Sequence, residues 1–311
     1  MKRLITTLLA AALLLTLLAG CAGAPATEDG KLKIVTTIFP LYDWTKNLIG
    51  ESLDEVSLTM LLDDGVDMHS FQPSVNDMIT LSSCDLLIYV GGESDEWIKD
   101  ALSERANPNM IALNLMDVLG DRALQEELVE GMEGEAEDVP DEHIWLSLQN
   151  ARILCAAIRD ALIELDGEHS RAYEAAFATY DAKLGQLDAD FTSALDAADR
   201  HTLIVADRFP FRYLVEDYKL DYYAAFAGCE AETEASFATV IFLANKADEL
   251  GVRQLCVIET SDGKLARTVI ENTKSRDLGV LTLHSMQGSV GDGDYLSLME
   301  QNLNVLKEAL N

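Results

Sequence analysis

Short apolar, β-branched runs alternate with helix-length segments along most of this chain. Lys33 to Ile38 (KIVTTI), bounded by Pro40, predicts a strand, and Leu41 to Ile49, stopped by Gly50, predicts a helix. Val56 to Leu62 predicts a second strand, Ser74 to Leu81 a helix, and Leu86 to Val90 a fully apolar strand. The Gly91-Gly92 turn then leads into a helix carrying Trp97, Ile98, Ala101 and Leu102, and Asn109 to Leu113 predicts a fourth strand. Alternation at this spacing forms a parallel sheet covered on both faces. A helix over Ser147 to Leu165 ends before Gly167, and a longer one runs from about Glu168 to Asp199. Its stripe of Tyr173, Phe177, Tyr180, Leu184, Leu187, Phe191 and Leu195 steps by three or four residues throughout. A helix of about 30 residues is ~45 Å long, the height of a two-lobed protein.

The second half repeats the pattern. Strands are predicted over Thr202 to Ala206, Leu220 to Ala225, Leu255 to Glu259 and Val280 to Leu283. Between and after them, helices are predicted over Phe211 to Tyr218, Ser236 to Leu250, Leu265 to Thr273 and Tyr295 to Leu310. The fold class expected is therefore α/β: two lobes, each a parallel sheet flanked by helices, joined by a long rigid helix across a cleft. The N-terminal lobe is placed at residues 32–167, the connecting helix at 168–199 and the C-terminal lobe at 200–311.

The charge changes the picture in one respect. With 54 acidic against 23 basic side chains and a net charge of −31, the chain lacks the clustered cations that phosphate backbones require, so no nucleic-acid partner is expected. Nine acidic residues crowd positions 126–142, and with the glycines and Pro140 they predict a solvated, mobile loop. At the N-terminus, Lys2 and Arg3 precede an apolar run from Leu4 to Leu18 that is shorter than the ~20 residues of a spanning helix. Leu18-Ala19-Gly20-Cys21 then matches a lipobox, so residues 1–20 read as a lipoprotein signal peptide, Cys21 as the lipidated residue and 21–31 as a tether. That places the protein on the extracytoplasmic face of the cell membrane. Cys84, Cys155, Cys229 and Cys256 show no CxxC spacing; Cys84, Cys155 and Cys256 sit in apolar contexts that read as small buried hydrophobes.

Three of the five histidines stand in comparable places. His69 follows the second strand in GVDMHSFQPS, His143 ends the acidic stretch in DEHIW, and His284 follows the strand VLTL. Strand ends and helix starts of this kind line the crevice of an α/β sheet, and imidazole is the commonest protein ligand for zinc. His169, on the long helix, and His201, before a strand, read as structural. No HExxH pair exists and the three histidines come from both lobes, so neither a zinc-dependent hydrolase nor an adhesin accounts for them as well as metal capture does.

The segments KIVTTIFPLYDW, GVDMHSFQPS, DLLIYVGGESDEW, DEHIWLSLQNAR and YLSLMEQNLNVLKEAL, taken in order, resemble the zinc- and manganese-binding solute-binding lipoproteins of bacterial ABC importers. The resemblance covers nearly all of the chain beyond Cys21. It implies a metal held between two lobes and delivery to an ABC permease with its ATPase by a monomeric, lipid-anchored protein that is not an enzyme. By motif match, His69, His143 and His284 take the first, second and fourth ligand places. The third place falls on Arg208 in VADRFPFRYL, which cannot bind a cation. Asp207 is expected to supply the carboxylate instead, with helix capping as its other reading, and Glu259 is a secondary candidate otherwise paired with an arginine. Three imidazoles and one carboxylate favour Zn²⁺, with Mn²⁺ as the alternative.

Overall fold

The computed structural model describes residues 30–62, 66–134, 139–228, 235–287 and 293–311. The signal segment, Cys21, most of the tether, Gly65, residues 135–138 of the acidic stretch and Cys229 lie outside the described residues. Among the described residues, no helix is long and apolar enough to cross a membrane.

Two four-stranded sheets make up the fold, and every strand pair in them is parallel. The first contains β1 (Leu32–Thr36), β2 (Val56–Met60), β3 (Leu86–Tyr89) and β4 (Ile111–Asn114) in the order β2-β1-β3-β4. The second repeats that order as β6-β5-β7-β8, with β5 (Thr202–Phe209), β6 (Asp221–Ala227), β7 (Gln254–Ile258) and β8 (Gly279–Leu283). In each sheet the order reverses beside the first strand, the arrangement that opens a crevice at the carboxyl ends. The loops that carry His69 and His284 leave from such ends.

Helices cover the sheets. In the first half these are α1 (Phe39–Ile49), α2 (Val75–Ser82), α3 (Trp97–Ser103), α4 (Leu115–Leu119) and α5 (Leu148–Leu165). Pro40 in the first turn starts α1, and a reciprocal Ser74–Asp77 capping box starts α2. The short helix α4, capped by Asn114, was not expected, because five residues are too few to show a period. The long helix α6 (Ser170–Asp196) has 27 residues, about 40 Å at the usual rise. It packs on α1 and α5 on one side, and on α7 (Arg212–Tyr218) and α10 (Tyr295–Leu310) on the other. Its expected stripe is buried apart from Phe177, which is partly buried beneath the Arg159 guanidinium. The remaining helices, α8 (Phe237–Leu250) and α9 (Lys264–Asn272), pack against each other on the second sheet.

One apolar core runs through both lobes, from Ile34, Trp44 and Leu87 through Trp145, Leu184 and Phe191 to Phe211, Tyr295 and Leu310. A smaller one, around Leu243, Leu255 and Val269, lies under α8 and α9. Cys84, Cys155 and Cys256 are buried free thiols, as their apolar contexts predicted.

The acidic stretch departs from expectation. Over residues 126–134 it docks on the second lobe rather than standing in solvent. Glu133 N donates to Ala225 O at 2.8 Å, extending the pairing of β6, and Glu133 Oε1 accepts from Ser236 N at 2.7 Å. Glu127 pairs with Arg212 and Glu130 with Lys246. Gly131, at φ 82°, lies against the Phe242 ring, where a Cβ would sit 2.1 Å from the nearest ring carbon. These partners lie about 85 to 115 positions away in the chain, so a local reading of charge density could not reveal them.

The stripe on α6 gives a direct test of the shared core. Leu184→Ala, at a fully buried position, is expected to cost about 2–5 kcal/mol. Urea unfolding with an unchanged midpoint would show that this helix is not part of the core.

Candidate metal centre

The segment from Asp141 to Leu148 is buried at every residue and carries His143 through the middle of the molecule. Hydrogen bonds fix it to the second lobe. Tyr213 Oη donates to Asp141 O at 2.8 Å, Trp145 Nε1 donates to Ser285 O at 2.7 Å, and Tyr295 Oη donates to Trp145 O at 2.6 Å. Asp141 Oδ1 accepts from both His143 N (2.8 Å) and His143 Nδ1 (3.0 Å). A carboxylate oxygen accepts, so the proton sits on Nδ1 and the lone pair is on Nε2. Gly228, at the end of β6, leaves room for this ring: a Cβ there would come within 2.9 Å of His143 Cε1.

His69 reaches the same point from a single 3₁₀ turn, Met68–Ser70, that follows β2. Asp67 caps the turn, its Oδ1 accepting from His69 N at 3.0 Å. His69 Nδ1 lies 2.8 Å from Ser94 Oγ and 3.7 Å from Glu142 Oε2. Burial, the neighbouring His143 and Arg208 hold the His69 imidazole down to about 3, against Asp67 and Asp141. The ring is therefore neutral near pH 7.

The two Nε2 atoms face each other at 3.3 Å. Two nitrogens bound at 2.0–2.1 Å to a tetrahedral Zn²⁺ are separated by about 3.3–3.4 Å, so the pair already forms one edge of such a shell. Gln287, 3% exposed, brings its amide Nε2 to 2.8 Å from His143 Nε2, and its buried Oε1 has no hydrogen-bond partner.

The structure brings His69 and His143 together and does not bring Asp207, His284 or Glu259 to them. Asp207 Oδ1 accepts from Arg208 N at 2.9 Å, within a bulge where β5 shifts register against β6 between Val205 and Arg208. It caps no helix, since Phe211 is the cap residue of α7. His284 is held through its backbone, with N donating to Asn302 Oδ1 at 2.7 Å and O accepting from Asn302 Nδ2 at 2.9 Å, while its Nδ1 has no partner. Among the described residues, Glu259 pairs with no arginine. Its oxygens accept from Ser285 N (2.8 Å), Ser285 Oγ (2.9 Å) and Met286 N (2.9 Å), which shapes the turn that presents Gln287. Among the described residues, no three His, Cys, Asp or Glu side chains are arranged to hold a metal.

Arg208 crosses the cleft, its Nη2 lying 2.6 Å from Asp67 Oδ2. Burial opposes the charge on Asp67, but Arg208 and the His69 N–H outweigh it and hold its pKa below the usual carboxylate range. Glu142 was missed in the sequence although it adjoins His143. Its Oε1 accepts from Ser94 N at 2.8 Å, and its Oε2 has no hydrogen bond among the described residues. Burial pushes its pKa up, against the bonds from Ser94. Gln287 was missed because an uncharged amide is a weak metal signal; its place three residues after His284 was the available hint.

Residues 34–309 match the family described as zinc-uptake complex component A, periplasmic (ZnuA). The chain belongs to this family. It is 28% identical over 313 residues to the zinc-binding lipoprotein AdcA of Streptococcus pneumoniae, which covers 97% of this chain and 60% of that relative. To the high-affinity zinc uptake system protein ZnuA of Bacillus subtilis it is 25% identical over 300 residues, covering 93% of this chain and 90% of the relative. The chain thus spans only 56–60% of the length of streptococcal AdcA relatives. A crystal structure of the Zn(II)-bound ZnuA-like domain of the pneumococcal AdcA superposes with a TM-score of 0.72 at 25% identity, covering 90% of this chain and 99% of that one.

Asp95, behind the Gly91-Gly92 turn, supplies a pH test. Burial pushes its carboxyl from 3.8 to about 6, Glu142 adds to this, and the Gly91 N–H at 3.0 Å opposes it. The raised value means that the folded state holds the extra proton. Its stability contribution is therefore full below about pH 4 and is lost as pH rises through about 6, on the order of 3 kcal/mol. Asp95→Asn is expected to flatten the stability profile across that window in thermal melts; identical slopes in the two proteins would refute the assignment.

Proposed function

We propose that this chain captures Zn²⁺ in the interlobe cleft and delivers it to a membrane permease whose partner ATPase drives import. The observation that carries this reading is the 3.3 Å approach of His69 Nε2 and His143 Nε2. Family membership and the zinc-uptake names of the relatives support it, and they favour transport over catalysis. His69 and His143 are the first two ligands, and Gln287, whose amide nitrogen lies 2.8 Å from His143 Nε2, adds a third through its amide oxygen when the amide turns over. Asp141 holds the His143 tautomer that binds metal, and Ser94 with Glu142 orients His69. Glu259 and Asn302 hold the His284–Gln287 turn. Asp207, bonded to its neighbour's N–H, serves as backbone support rather than as a ligand. Nitrogen donors dominate the set, which favours zinc over manganese.

A chelator-competition titration tests this. The native protein is expected to bind one Zn²⁺ per chain and to prefer it to Mn²⁺, while His69→Ala and His143→Ala each lose about 100-fold or more in affinity. Unchanged zinc stoichiometry in the double variant would sink the assignment.

The location is the extracytoplasmic face of the cell membrane, with a monomer anchored by lipid on Cys21. The lipobox supports this, as does the lipoprotein name of the pneumococcal relative. Cys21→Ser is expected to abolish incorporation of labelled fatty acid and to move the protein from the membrane fraction to the soluble one. Membrane retention without label would point to another anchor.

A further inference from the structure

The donors that meet in the cleft are all neutral. His69 and His143 offer imidazole nitrogens and Gln287 an amide, whereas the nearby carboxylates lie behind the imidazoles or against Arg208, Glu142 Oε2 keeping its 3.7 Å approach to His69 Nδ1. Asp141 accepts from His143 Nδ1, Glu142 from Ser94 N, and Asp67 from Arg208 and His69 N. Three donors leave a tetrahedral Zn²⁺ one short. Three neutral ligands also bring no charge of their own to the metal, so its nearest counter-charges are the carboxylates of Asp141 and Glu142 behind the imidazoles.

Arg208 crosses the cleft to the Asp67 carboxylate that caps the His69 turn. Its side chain is only 13% exposed, yet its guanidinium has one protein partner, Asp67 Oδ2 at 2.6 Å. The other four N–H donors of the group meet no acceptor among the described residues. Asp67 links it directly to the His69 turn, Oδ1 accepting from His69 N at 3.0 Å. A guanidinium cannot shed its proton to become a ligand, and its planar fork matches the paired oxygens of a carboxylate-like anion.

We propose that the cleft takes its metal together with a small planar oxyanion, a carboxylate or bicarbonate, that fills the fourth coordination position and lies against the Arg208 guanidinium. This rests on His69 and His143 being zinc ligands. The anion removes one unit of the metal's charge and meets the unused donors of Arg208 in the same step. Linkage then requires that anion and metal raise each other's affinity by the same factor.

The test is a Zn²⁺ titration of the metal-free protein against a chromophoric chelator, with perchlorate as the only anion and then with acetate, bicarbonate or chloride added. Acetate or bicarbonate is expected to tighten zinc binding by about tenfold, and chloride, which lacks a planar pair of oxygens, by less. In Arg208→Gln, whatever its zinc affinity in perchlorate alone, the ratio of affinity with acetate to affinity without it is expected to fall to about one. Should Arg208→Gln melt well below the native protein, Arg208→Lys, which keeps the charge without the fork, is expected to show a reduced gain. Equal affinity in all buffers, or a gain that survives unchanged in the Arg208 variants, overturns the oxyanion and leaves the zinc reading standing. Zinc binding that is absent in every buffer, in native protein as in His69→Ala, overturns the zinc reading itself.

Discussion

The buried strap from Asp141 to Leu148 is the constraint on which the rest of the molecule depends. A polar run such as Asp141-Glu142-His143 is costly to bury unless its groups find partners. Here Tyr213 takes the Asp141 carbonyl, Asp141 takes the His143 N–H and Nδ1, and Ser94 takes one oxygen of Glu142. The apolar half, Ile144-Trp145-Leu146, enters the core that both lobes share. Satisfying these groups fixes the lobes about His143, and from that follows the position of its Nε2. Each tie to Tyr213, Ser285 or Tyr295 locates the ring relative to the second sheet, while Ser94 and Glu142 locate His69 relative to the ring.

Much of the fold was legible because its cause is local and periodic. The stripe from Tyr173 to Leu195 and the apolar run Leu86 to Val90 need only their own residues to declare a helix and a buried strand. Where the structure differs, the cause is a partner far away in the chain. The strand β5 continues past Ala206 to Phe209 because β6 pairs with it beyond a bulge, and the bulge sets Asp207 and Arg208 to tasks that counting from Phe211 could not assign. The acidic stretch docks because Arg212, Ala225, Ser236, Phe242 and Lys246 are present to receive it.

The candidate centre was legible to the extent that its chemistry is carried by rare residue types. His69, after β2, and His143, on the strap, drew notice because histidine is scarce, five in the whole chain. Glutamine does not stand out. Gln287 becomes visible only through its burial, its approach to His143 and its unpartnered oxygen. His284 and Glu259, residue types that do attract notice, turn out to hold the turn that places it. The bracing roles that His284 and Glu259 play in this structure were not legible in the sequence, because such a role leaves no compositional mark.

The two walls of the cleft differ in what it takes to part them. On the strap side, separation exposes Trp145 and Tyr295 and breaks several buried hydrogen bonds, each worth about 1 kcal/mol or more. Across the opening, the contact between Asp67 and Arg208 is a single ion pair whose side chains are 22% and 13% exposed. His143 is thus tied to the second lobe through the three hydrogen bonds of the strap, while the His69 turn meets that lobe through the Arg208–Asp67 pair. The connecting helix α6 suits this asymmetry, since it packs on both lobes and resists any larger separation.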